Sequence, residues 1–388
     1  MLIFVIPSVY PNRCFPGAGI FVREYVSALA GVGHKMVVLD ASTMNYKYWS
    51  KPECGRIIFR DDGDSRVYEH HVRGLAVSRL PGPAVRSTYR KLRKLFDRAV
   101  REHGRPDVIV NHFTLPAGFA ARRLAEEERL PLAVIEHESV YYEDKLPQFI
   151  ERELKSTLEA AASFVCVSEP LKRAIEKRTG IDGKIVVVPN MIDDCFMFVP
   201  PERGEGFTFF SAGNLVGIKR FDLLISAFGL AFGGRKDVKL RIAGRGPEEE
   251  SLKKLIASLG LSEQVSMIGY VPHDRIKEEY KKSGCFILLS RRETFGIAYR
   301  EAMAVGRPII APKNGGVEEN WDDGNGILLE NDSAEAVAEA MKRVVSGEAE
   351  FDPEAISRRC RELYSREIVI GKHDEILKAI VEKNAQKK

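Results

Sequence analysis

Two glutamates follow a short apolar segment, and their spacing limits the chemistry that they can perform. The run Cys285 to Leu289 predicts a strand buried on both faces, a polar break follows, and a helical pattern begins at Ile297. Glu293 falls in the break, and Glu301 falls about one turn inside the helix. With seven residues between them, the two carboxylates are not expected to share one proton. Each is expected to bind its own polar group on one ligand.

The same junction favours a negatively charged ligand. In a parallel sheet, a strand-to-helix junction lies at the carboxyl end of the strands, where ligands bind. The free N–H groups at the start of a helix attract an anion, and Gly296 lets the backbone approach closely. The sequence therefore predicts a site for a polar, anionic molecule here.

Strand and helix patterns alternate along almost the whole chain, which predicts an α/β fold with parallel sheets. The predicted strands of the first half are Leu2 to Ile6, Met36 to Leu39, Val108 to Asn111, Leu132 to Glu136, Phe164 to Val167 and Ile185 to Val188. The predicted helices between them include Phe21 to Ala30, Pro116 to Glu127, Leu146 to Ala160 and Glu169 to Lys177. The region from Thr43 to Val85 is predicted to hold loops and short strands.

A linker and a second round of alternation follow. The segment PNMIDDCFMFVPPERGEG is rich in Pro, Gly and charge, as linkers are. The alternation then restarts at Phe207 to Ala212 and continues to Leu329, which predicts a second doubly wound domain. Asp332, with Glu335 three residues later, predicts a capping box at the start of the next helix.

Composition describes an ordinary soluble protein. A length of 388 residues suits two domains, and 59 basic against 55 acidic residues give a net charge of only +4, so nucleic acid is not an expected partner. We expect neither a signal peptide nor a membrane span. Scattered cysteines without a zinc-ligand spacing favour the reducing cytoplasm; they are Cys14, Cys54, Cys166, Cys195, Cys285 and Cys360.

The two glutamates lie in ETFGIAYREAMAVGRPIIAPKNGG, which resembles the E-x7-E signature of the retaining glycosyltransferases of family 4. The resemblance continues, in the expected order, through SAGNLVGIKRFDLLISAF, LRIAGRGPEEESLKKL and MIGYVPHDRIKEEYKKSGCFILLS, and covers most of residues 205 to 345. The N-terminal half matches more loosely, through PGAGIFVREYVSALA, RPDVIVNHFTLPAGFA, VIEHES, FVCVSEPLKRAI and VVVPNMID.

The resemblance implies the GT-B architecture, in which two Rossmann-like, doubly wound parallel-sheet domains face each other across a cleft. The expected acceptor-side domain is 1–198, completed by a C-terminal crossover helix at 365–385. The expected donor-binding domain is 199–364.

The resemblance also implies a function: a hexosyltransferase-type enzyme (EC 2.4) that moves a sugar from a nucleoside-diphosphate sugar with retention and without a metal or other cofactor. The acceptor stays open among a glycan, a lipid-linked molecule and a small molecule. Two alternatives stay open as well. One is another GT-B enzyme, such as a nucleotide-sugar epimerase, and the other is a non-catalytic nucleotide-sugar-binding protein.

Site residues follow from the matched motifs. The implied catalytic residues are His137 at the donor sugar and leaving phosphate, Lys219 at the diphosphate and Glu293 at the sugar hydroxyls. His112 also ends a predicted strand, and its role stays undecided. The implied donor-binding residues are Gly17, Gly19, Asn214, Arg220, Gly244, Tyr270, Val271, Phe295, Gly296, Ile297 and Glu301.

One of these positions departs from the family pattern. The family usually has an arginine five residues before the lysine at 219, and this chain has Asn214. Arg220 is a candidate to compensate, although adjacent helical residues point about 100° apart. This departure leaves donor use in doubt and keeps the binding-protein alternative open.

One acidic triplet is a candidate metal site. Asp62-Gly63-Asp64 resembles the D-x-D motif of a different, metal-dependent glycosyltransferase fold, but its Gly-containing surroundings favour a turn. We therefore expect no metal.

The segment 85–105 holds eight basic and two acidic residues, with Tyr89, Leu92, Phe96 and Val100 on one helical stripe. Such a helix fits peripheral contact with anionic lipid at the inner face of the membrane. The favoured interpretation is an apolar stripe packed on the core and a solvated basic face.

Overall fold

The computed structural model describes residues 1–12, 17–41, 43–44, 57–61, 66–72, 74–75, 81–201 and 206–386, so the triplet at 62–64 lies outside the described residues. The chain divides into two compact units. Unit 1 comprises Met1–Met191 and Arg366–Lys388, and unit 2 comprises Ile192–Ser365. The sequence places these divisions at 198 and 365. No helix in the described part of the chain is long and apolar enough to cross a membrane.

Unit 1 is built on a sheet in which eight strands are described, in the order β10-β9-β8-β7-β1-β2-β5-β4. All its pairings are parallel except that of β4 with β5. The strands of unit 1, with the small pair β3 and β6, are β1 (Leu2–Pro7), β2 (Lys35–Asp40), β3 (Thr43–Met44), β4 (Ile57–Asp61), β5 (Val67–Val72), β6 (Gly74–Leu75), β7 (Val108–His112), β8 (Leu132–Glu136), β9 (Ser163–Cys166) and β10 (Ile185–Val187).

The helices of unit 1 are α1 (Ile20–Gly31), α2 (Pro81–His103), α3 (Phe119–Glu128), α4 (Gln148–Ala160), α5 (Glu169–Thr179) and α12 (Arg366–Ala385). The central strands are mainly apolar and almost entirely buried, as expected for a sheet covered on both faces, and their polar residues lie at the carboxyl ends of β7 and β8. The start of α5 shows why a helix begins where it does, because the Ser168 hydroxyl accepts a hydrogen bond from the Leu171 N–H.

Unit 2 is a second parallel sheet, described with six strands in the order β13-β12-β11-β14-β15-β16. Its strands are β11 (Phe207–Ala212), β12 (Val238–Ala243), β13 (Val265–Gly269), β14 (Cys285–Ile287), β15 (Ile309–Pro312) and β16 (Gly326–Leu329). Its helices are α6 (Phe221–Phe232), α7 (Glu249–Ser258), α8 (His273–Lys281), α9 (Ile297–Ala304), α10 (Ala334–Ser346) and α11 (Pro353–Tyr364). The predicted α/β fold with parallel sheets is confirmed in both units.

The predicted capping box at Asp332 is wrong. Helix α10 begins one residue later than expected and is capped by Ser333, whose hydroxyl accepts a hydrogen bond from the Ala336 N–H. The Asp332 carboxylate instead accepts a hydrogen bond from Arg220. The Asp332 carboxylate is therefore bound by a residue distant in sequence, and the neighbouring Ser333 caps the helix instead.

The basic segment at 85–105 forms most of α2, and its apolar stripe is packed inside unit 1. Of the predicted stripe, Leu92 and Phe96 are buried, and Tyr89 and Val100 are half-buried; Leu95 is buried beside them. Arg93 and Arg105 form ion pairs with Glu128 of α3. The apolar side of this helix is therefore part of the core, as the favoured interpretation predicted.

Candidate functional site

An ion pair in unit 2 joins two of the three residues that the resemblance marks as catalytic. Lys219 ends a short 3₁₀ turn after β11, and Glu293 lies in the loop between β14 and α9. The Lys219 ammonium donates a hydrogen bond of 2.5 Å to Oε1 of Glu293. The two side chains keep 21% and 15% of their surface exposed. The Arg291 N–H donates to the Ile218 carbonyl at 2.9 Å, which ties the two loops together.

The loop after β15 holds the Glu293 loop in place. The Glu293 N–H donates to the Asn314 carbonyl at 3.0 Å, and the Asn314 amide donates to the Ser290 carbonyl at 3.3 Å. A Cβ at Gly316 would lie 2.8 Å from Phe295 backbone atoms and 3.0 Å from Cβ of Glu293. Sequence reasoning missed these supports, because an Asn-Gly-Gly stretch after a strand indicates only a turn.

Arg300 braces the same loop from inside the core. Its side chain is almost fully buried, and its guanidinium donates to the carbonyls of Gly316, Val317 and Glu319 at 3.0, 3.3 and 2.9 Å. A buried charge is costly unless its hydrogen bonds are made. The backbone carbonyls of 316, 317 and 319 all accept from one guanidinium nitrogen of Arg300, and their position is fixed in return.

Glu301 and the start of α9 form the other side of the junction. Gly296 adopts a left-handed φ of 77° and precedes the first turn of α9. Glu301 is 8% exposed, accepts a hydrogen bond from the Tyr280 hydroxyl at 2.9 Å and lies 3.4 Å from Nε2 of His273. The Phe295 side chain is buried, so this residue can offer a ligand only its backbone. Sequence reasoning missed Tyr280, because its contact with Glu301 joins two different helices.

The predicted nucleoside loops lie at the carboxyl ends of β11, β12 and β13. Gly244 has a φ of 149°, and a Cβ there would lie 1.9 Å from the Gly213 carbonyl oxygen, so the protein's own loop already requires a glycine. Asn214 is exposed. Tyr270 is 38% exposed, with the Arg245 guanidinium 5.9 Å from its ring centroid. Val271 is half-buried.

The two adjacent basic residues at 219 and 220 have different partners. Arg220 has a φ of 54° and donates to both the carboxylate and, at 3.2 Å, the main-chain carbonyl of Asp332. Its side chain lines an open pocket of about 560 Å³ together with Glu248 and Arg291. The charge of Arg220 is therefore paired away from Glu293, whereas that of Lys219 is paired with it.

In unit 1, His137 forms a pair with His112. His112 is the last residue of β7, and His137 directly follows β8. Because these neighbouring strands are parallel, both residues lie at the carboxyl end of the sheet. Nδ1 of His112 lies 3.1 Å from Nε2 of His137, and the rings are stacked at an interplanar angle of 14°. The residue left undecided from sequence is thus a direct partner of the predicted catalytic histidine.

Burial keeps this pair neutral. Burial, with a smaller contribution from His373, lowers the pKa of His137 to about 3. Burial and the neighbouring His137 also lower the pKa of His112 well below its ordinary value. Near pH 7 both rings therefore act as neutral hydrogen-bonding groups.

Glu136 fixes the backbone that carries His137. This carboxylate is fully buried and accepts hydrogen bonds from the N–H groups of Thr114, His137 and Glu138 at 3.0, 2.7 and 2.7 Å. Burial raises the pKa of the Glu136 carboxyl, against the lowering effect of these donors. The turn after β8 is therefore held by a polar group that sequence reasoning did not single out.

Of the two glycines predicted before α1, Gly19 is required by the backbone conformation and packing of the protein itself. Gly19 has a φ of 67°, and a Cβ there would lie 2.5 Å from the Val9 carbonyl oxygen. Gly17 is exposed and lies in the turn before it. Gly19 is thus required by the packing of this turn on the end of β1, whether or not a ligand approaches.

Among the described residues, one group has the geometry to hold a metal ion. It comprises His70, Glu102 and His103, whose ligand atoms all lie within 4.8 Å of one another. The two histidines already contact each other, with 3.0 Å between their Nε2 atoms. None of the predicted site residues belongs to this group.

Two family models match the chain. The one described as glycosyl transferases group 1 matches residues 194–362, and the one described as glycosyltransferase family 4 matches residues 16–195. Together the two models cover residues 16–362.

Individual relatives agree with these models. A phosphatidylinositol N-acetylglucosaminyltransferase subunit from Arabidopsis thaliana is 29% identical over 217 residues, which are 55% of this chain and 48% of that protein. This chain therefore spans about half the length of that relative. The D-inositol 3-phosphate glycosyltransferase of Pseudarthrobacter chlorophenolicus is 25% identical over 359 residues, 84% of this chain and 81% of that protein.

The fold is shared with solved structures. The sucrose-phosphate synthase of Thermosynechococcus elongatus superposes with a TM-score of 0.79 at 18% identity, over 98% of this chain and 99% of that one. At this identity the likeness establishes the fold alone. The two parallel-sheet units have the GT-B fold, as predicted.

Proposed function

The chain belongs to the group 1 glycosyltransferases of family 4, and we propose that it moves a sugar from a nucleoside-diphosphate sugar to an acceptor, with retention and without a metal ion. The observation that carries the proposal is the pairing of Lys219 with Glu293, three residues before the glycine that precedes α9. A cation, a carboxylate and free helix N–H groups thus lie together where both a diphosphate and a sugar need partners.

Each group has a task in this proposal. The Lys219 ammonium and the backbone of 295–297 stabilise the diphosphate as it gains negative charge on leaving. Glu293 binds hydroxyls of the transferred sugar, and Glu301 binds the ribose hydroxyls. Lys219 must turn from Glu293 towards the diphosphate or share its protons between them. His137 contributes a neutral hydrogen-bonding nitrogen, and the leaving phosphate itself helps to deprotonate the acceptor, so no covalent nucleophile is needed.

Metal independence follows from the same charges in this proposal. The compact ammonium of Lys219 and the partial positive charge at the start of α9 do the work that a divalent ion does elsewhere. No step is assigned to the group formed by His70, Glu102 and His103.

The competing function is a non-catalytic nucleotide-sugar-binding protein. It is favoured by Asn214, which stands where the family usually has an arginine, and by the pairing of Arg220 with Asp332 rather than with the Glu293 loop. Lys219 then stands without Arg220 as a second cation at the diphosphate, and weak donor binding is expected. The two functions differ in whether bound donor is turned over.

Calorimetry with UDP, GDP and ADP, with and without a chelator, tests the proposal. We expect one of the three to bind, with the same affinity when divalent ions are removed. A panel of the corresponding sugars then identifies the donor by thermal shift, since a ligand at about 100 times its Kd stabilises by roughly 2.7 kcal/mol. Binding that requires a divalent ion contradicts metal independence, and binding of none of the three contradicts the proposed donor class.

The acceptor is proposed only as a class to be screened. The two relatives named above have inositol-containing substrates in their names, so inositol phosphate and phosphatidylinositol belong in the acceptor panel beside simple sugars.

Because the apolar stripe of α2 is buried, any membrane contact through 85–105 would be electrostatic. It should then appear as co-sedimentation with anionic but not neutral vesicles, weakened by salt. Equal partitioning to both vesicle types contradicts it.

A further inference from the structure

The surroundings of His137 in unit 1 contain an arrangement that the proposed function leaves unexplained. Tyr25, His112 and His373 line one small cavity of about 20 Å³, together with His137. The Tyr25 ring contacts His112 and His373 edge-on, at centroid distances of 4.6 and 5.0 Å. A volume of this size suits about one water molecule. The cavity therefore brings several polar side chains together within a largely apolar lining.

Three polar atoms on these residues are buried and, among the described residues, have no hydrogen-bond partner. They are the Tyr25 hydroxyl, Nε2 of His112 and Nδ1 of His137. Buried polar groups in proteins are nearly always paired, so a set of three on one cavity calls for an explanation. The other nitrogen of each histidine is accounted for, because Nδ1 of His112 and Nε2 of His137 face each other at 3.1 Å.

The proton count of the pair allows only two neutral arrangements. A neutral imidazole carries one N–H, and one of the two facing nitrogens must donate across the shared contact. If His137 donates through Nε2, its Nδ1 is bare and His112 carries a second N–H on Nε2, inside the cavity. If His112 donates through Nδ1, its own Nε2 is bare and His137 carries its N–H on Nδ1.

The second arrangement suits the cavity better. Burial raises the pKa of Tyr25, so its hydroxyl keeps a proton that needs an acceptor. Because Tyr25 packs against His112, a bare Nε2 on His112 provides that acceptor through one water, whereas an N–H there would place a second donor beside the hydroxyl.

We propose that His112 is a positioning residue for His137: it donates its Nδ1–H to Nε2 of His137 and so holds His137 in the tautomer with the proton on Nδ1. The ring can then offer an N–H donor and no basic lone pair. This inference rests on the proposed function only for its consequence, which is that the neutral N–H on Nδ1 acts on an anionic donor substrate through the water that the cavity can hold. The tautomer itself is a property of the free protein.

A matched pair of variants separates the two nitrogens of His112. In His112→Asn, the side-chain amide nitrogen lies about as far from the backbone as Nδ1 of histidine, so it can still donate to His137. In His112→Gln, the amide nitrogen lies about as far from the backbone as Nε2 of histidine and faces the cavity instead. Nitrogen-15 NMR of protein labelled at its eight histidines reports which ring nitrogen of each histidine is protonated, and His137→Gln and His112→Gln assign the signals.

We expect wild-type His137 to carry its proton on Nδ1 and His112 to carry its proton on Nδ1 as well. His112→Asn should keep the tautomer of His137, and His112→Gln should give a mixture of the two. Once a donor is known, turnover should fall at least tenfold more in His112→Gln than in His112→Asn, with a similar KM for the donor.

Wild-type His137 protonated on Nε2, or the same pure tautomer in His112→Gln, overturns the proposal. The wild-type spectrum decides even if both His112 variants fail to fold. A protein with the expected tautomer but no transferase activity on any donor would refute the proposed function and leave this inference standing.

Discussion

The two units place their polar site residues in opposite electrostatic settings. Seven of the eight histidines belong to unit 1, and the pair that ends β7 and β8 is buried and neutral. Unit 2 instead has a Lys219–Glu293 ion pair that keeps contact with solvent, and buried arginines bonded to backbone carbonyls. Unit 1 thus provides neutral groups with unfilled hydrogen-bonding capacity, whereas unit 2 provides charges that are already paired. We infer that a ligand at unit 2 must exchange an existing bond for a new one.

The largest effect is expected at Glu293. In the proposed function Glu293 contacts the sugar, where positive charge develops during transfer, so the loss of its charge in Glu293→Gln should lower turnover by about 10²-fold or more. The same change releases Lys219 from its ion pair, so the affinity for nucleoside diphosphate should stay equal or rise. Steady-state kinetics and calorimetry on one preparation measure both. Full activity in this variant would remove Glu293 from the site.

Lys219 should show the opposite pattern. In the proposed function the Lys219 ammonium leaves Glu293 and binds the diphosphate. Lys219→Ala should therefore lower the affinity for nucleoside diphosphate about 10- to 100-fold, the range for a charge-assisted hydrogen bond. Lys236→Ala is the matched control in unit 2, because Lys236 is 81% exposed and paired with Glu263 on the surface. Equal losses in the two variants would show that the effect is one of general charge.

Glu301 should affect binding more than turnover. If it contacts only the ribose, its interaction is the same in the ground state and the transition state, so Glu301→Gln should weaken donor binding about tenfold with little change in kcat. Tyr280 donates to Glu301 in the free protein and can donate to the new amide oxygen, so the variant should stay folded. A fall in kcat as large as that of Glu293→Gln would mean that the two glutamates have been assigned the wrong roles.

The last of these predictions concerns stability rather than the proposed reaction, namely the pH dependence of the free energy of unfolding in unit 1. Burial lowers the pKa of His373 to about 4, against about 6.5 in the unfolded chain. Below pH 6.5 the unfolded state therefore takes up a proton that the folded state refuses, and stability falls as the pH is lowered towards 4. His373→Gln should reduce this slope by about 1.4 kcal/mol per pH unit. Urea unfolding of both proteins between pH 7 and 4.5 measures it, and parallel curves would contradict the buried neutral state.

The sequence predicted the elements of this fold where apolar runs are short and well bounded. Leu132 to Glu136 is observed as predicted, and the other strands named for unit 1 differ by about one residue at their ends. The capping box at Asp332 failed because a carboxylate that looks available locally is bound by Arg220, 112 residues away. A capping prediction made from neighbouring residues fails when a residue distant in sequence binds the capping side chain.

Some residues of the candidate site could likewise be predicted from local sequence, and others depend on contacts between distant parts of the chain. Motif order marked Lys219 and Glu293, and the structure brings them into contact. The residues that hold their loops were missed, since Asn314 and Arg300 act through backbone atoms that no pattern reveals. The role of His112 stayed undecided from sequence, because its contact with His137 depends on the parallel register of β7 and β8. The predicted ligand-facing glycines at 19 and 244 each also pack against the protein's own backbone.

The most direct test of the central claim is product analysis with a labelled sugar donor. The wild-type protein, with a chelator present, is incubated with the donor that the binding screen selects and with the acceptor panel, and NMR follows the anomeric carbon of the sugar. We expect nucleoside diphosphate to be released and the sugar to be joined to an acceptor with its anomeric configuration unchanged. A product of inverted configuration would contradict retention, and a donor that binds but is never turned over would show that this chain is a binding protein.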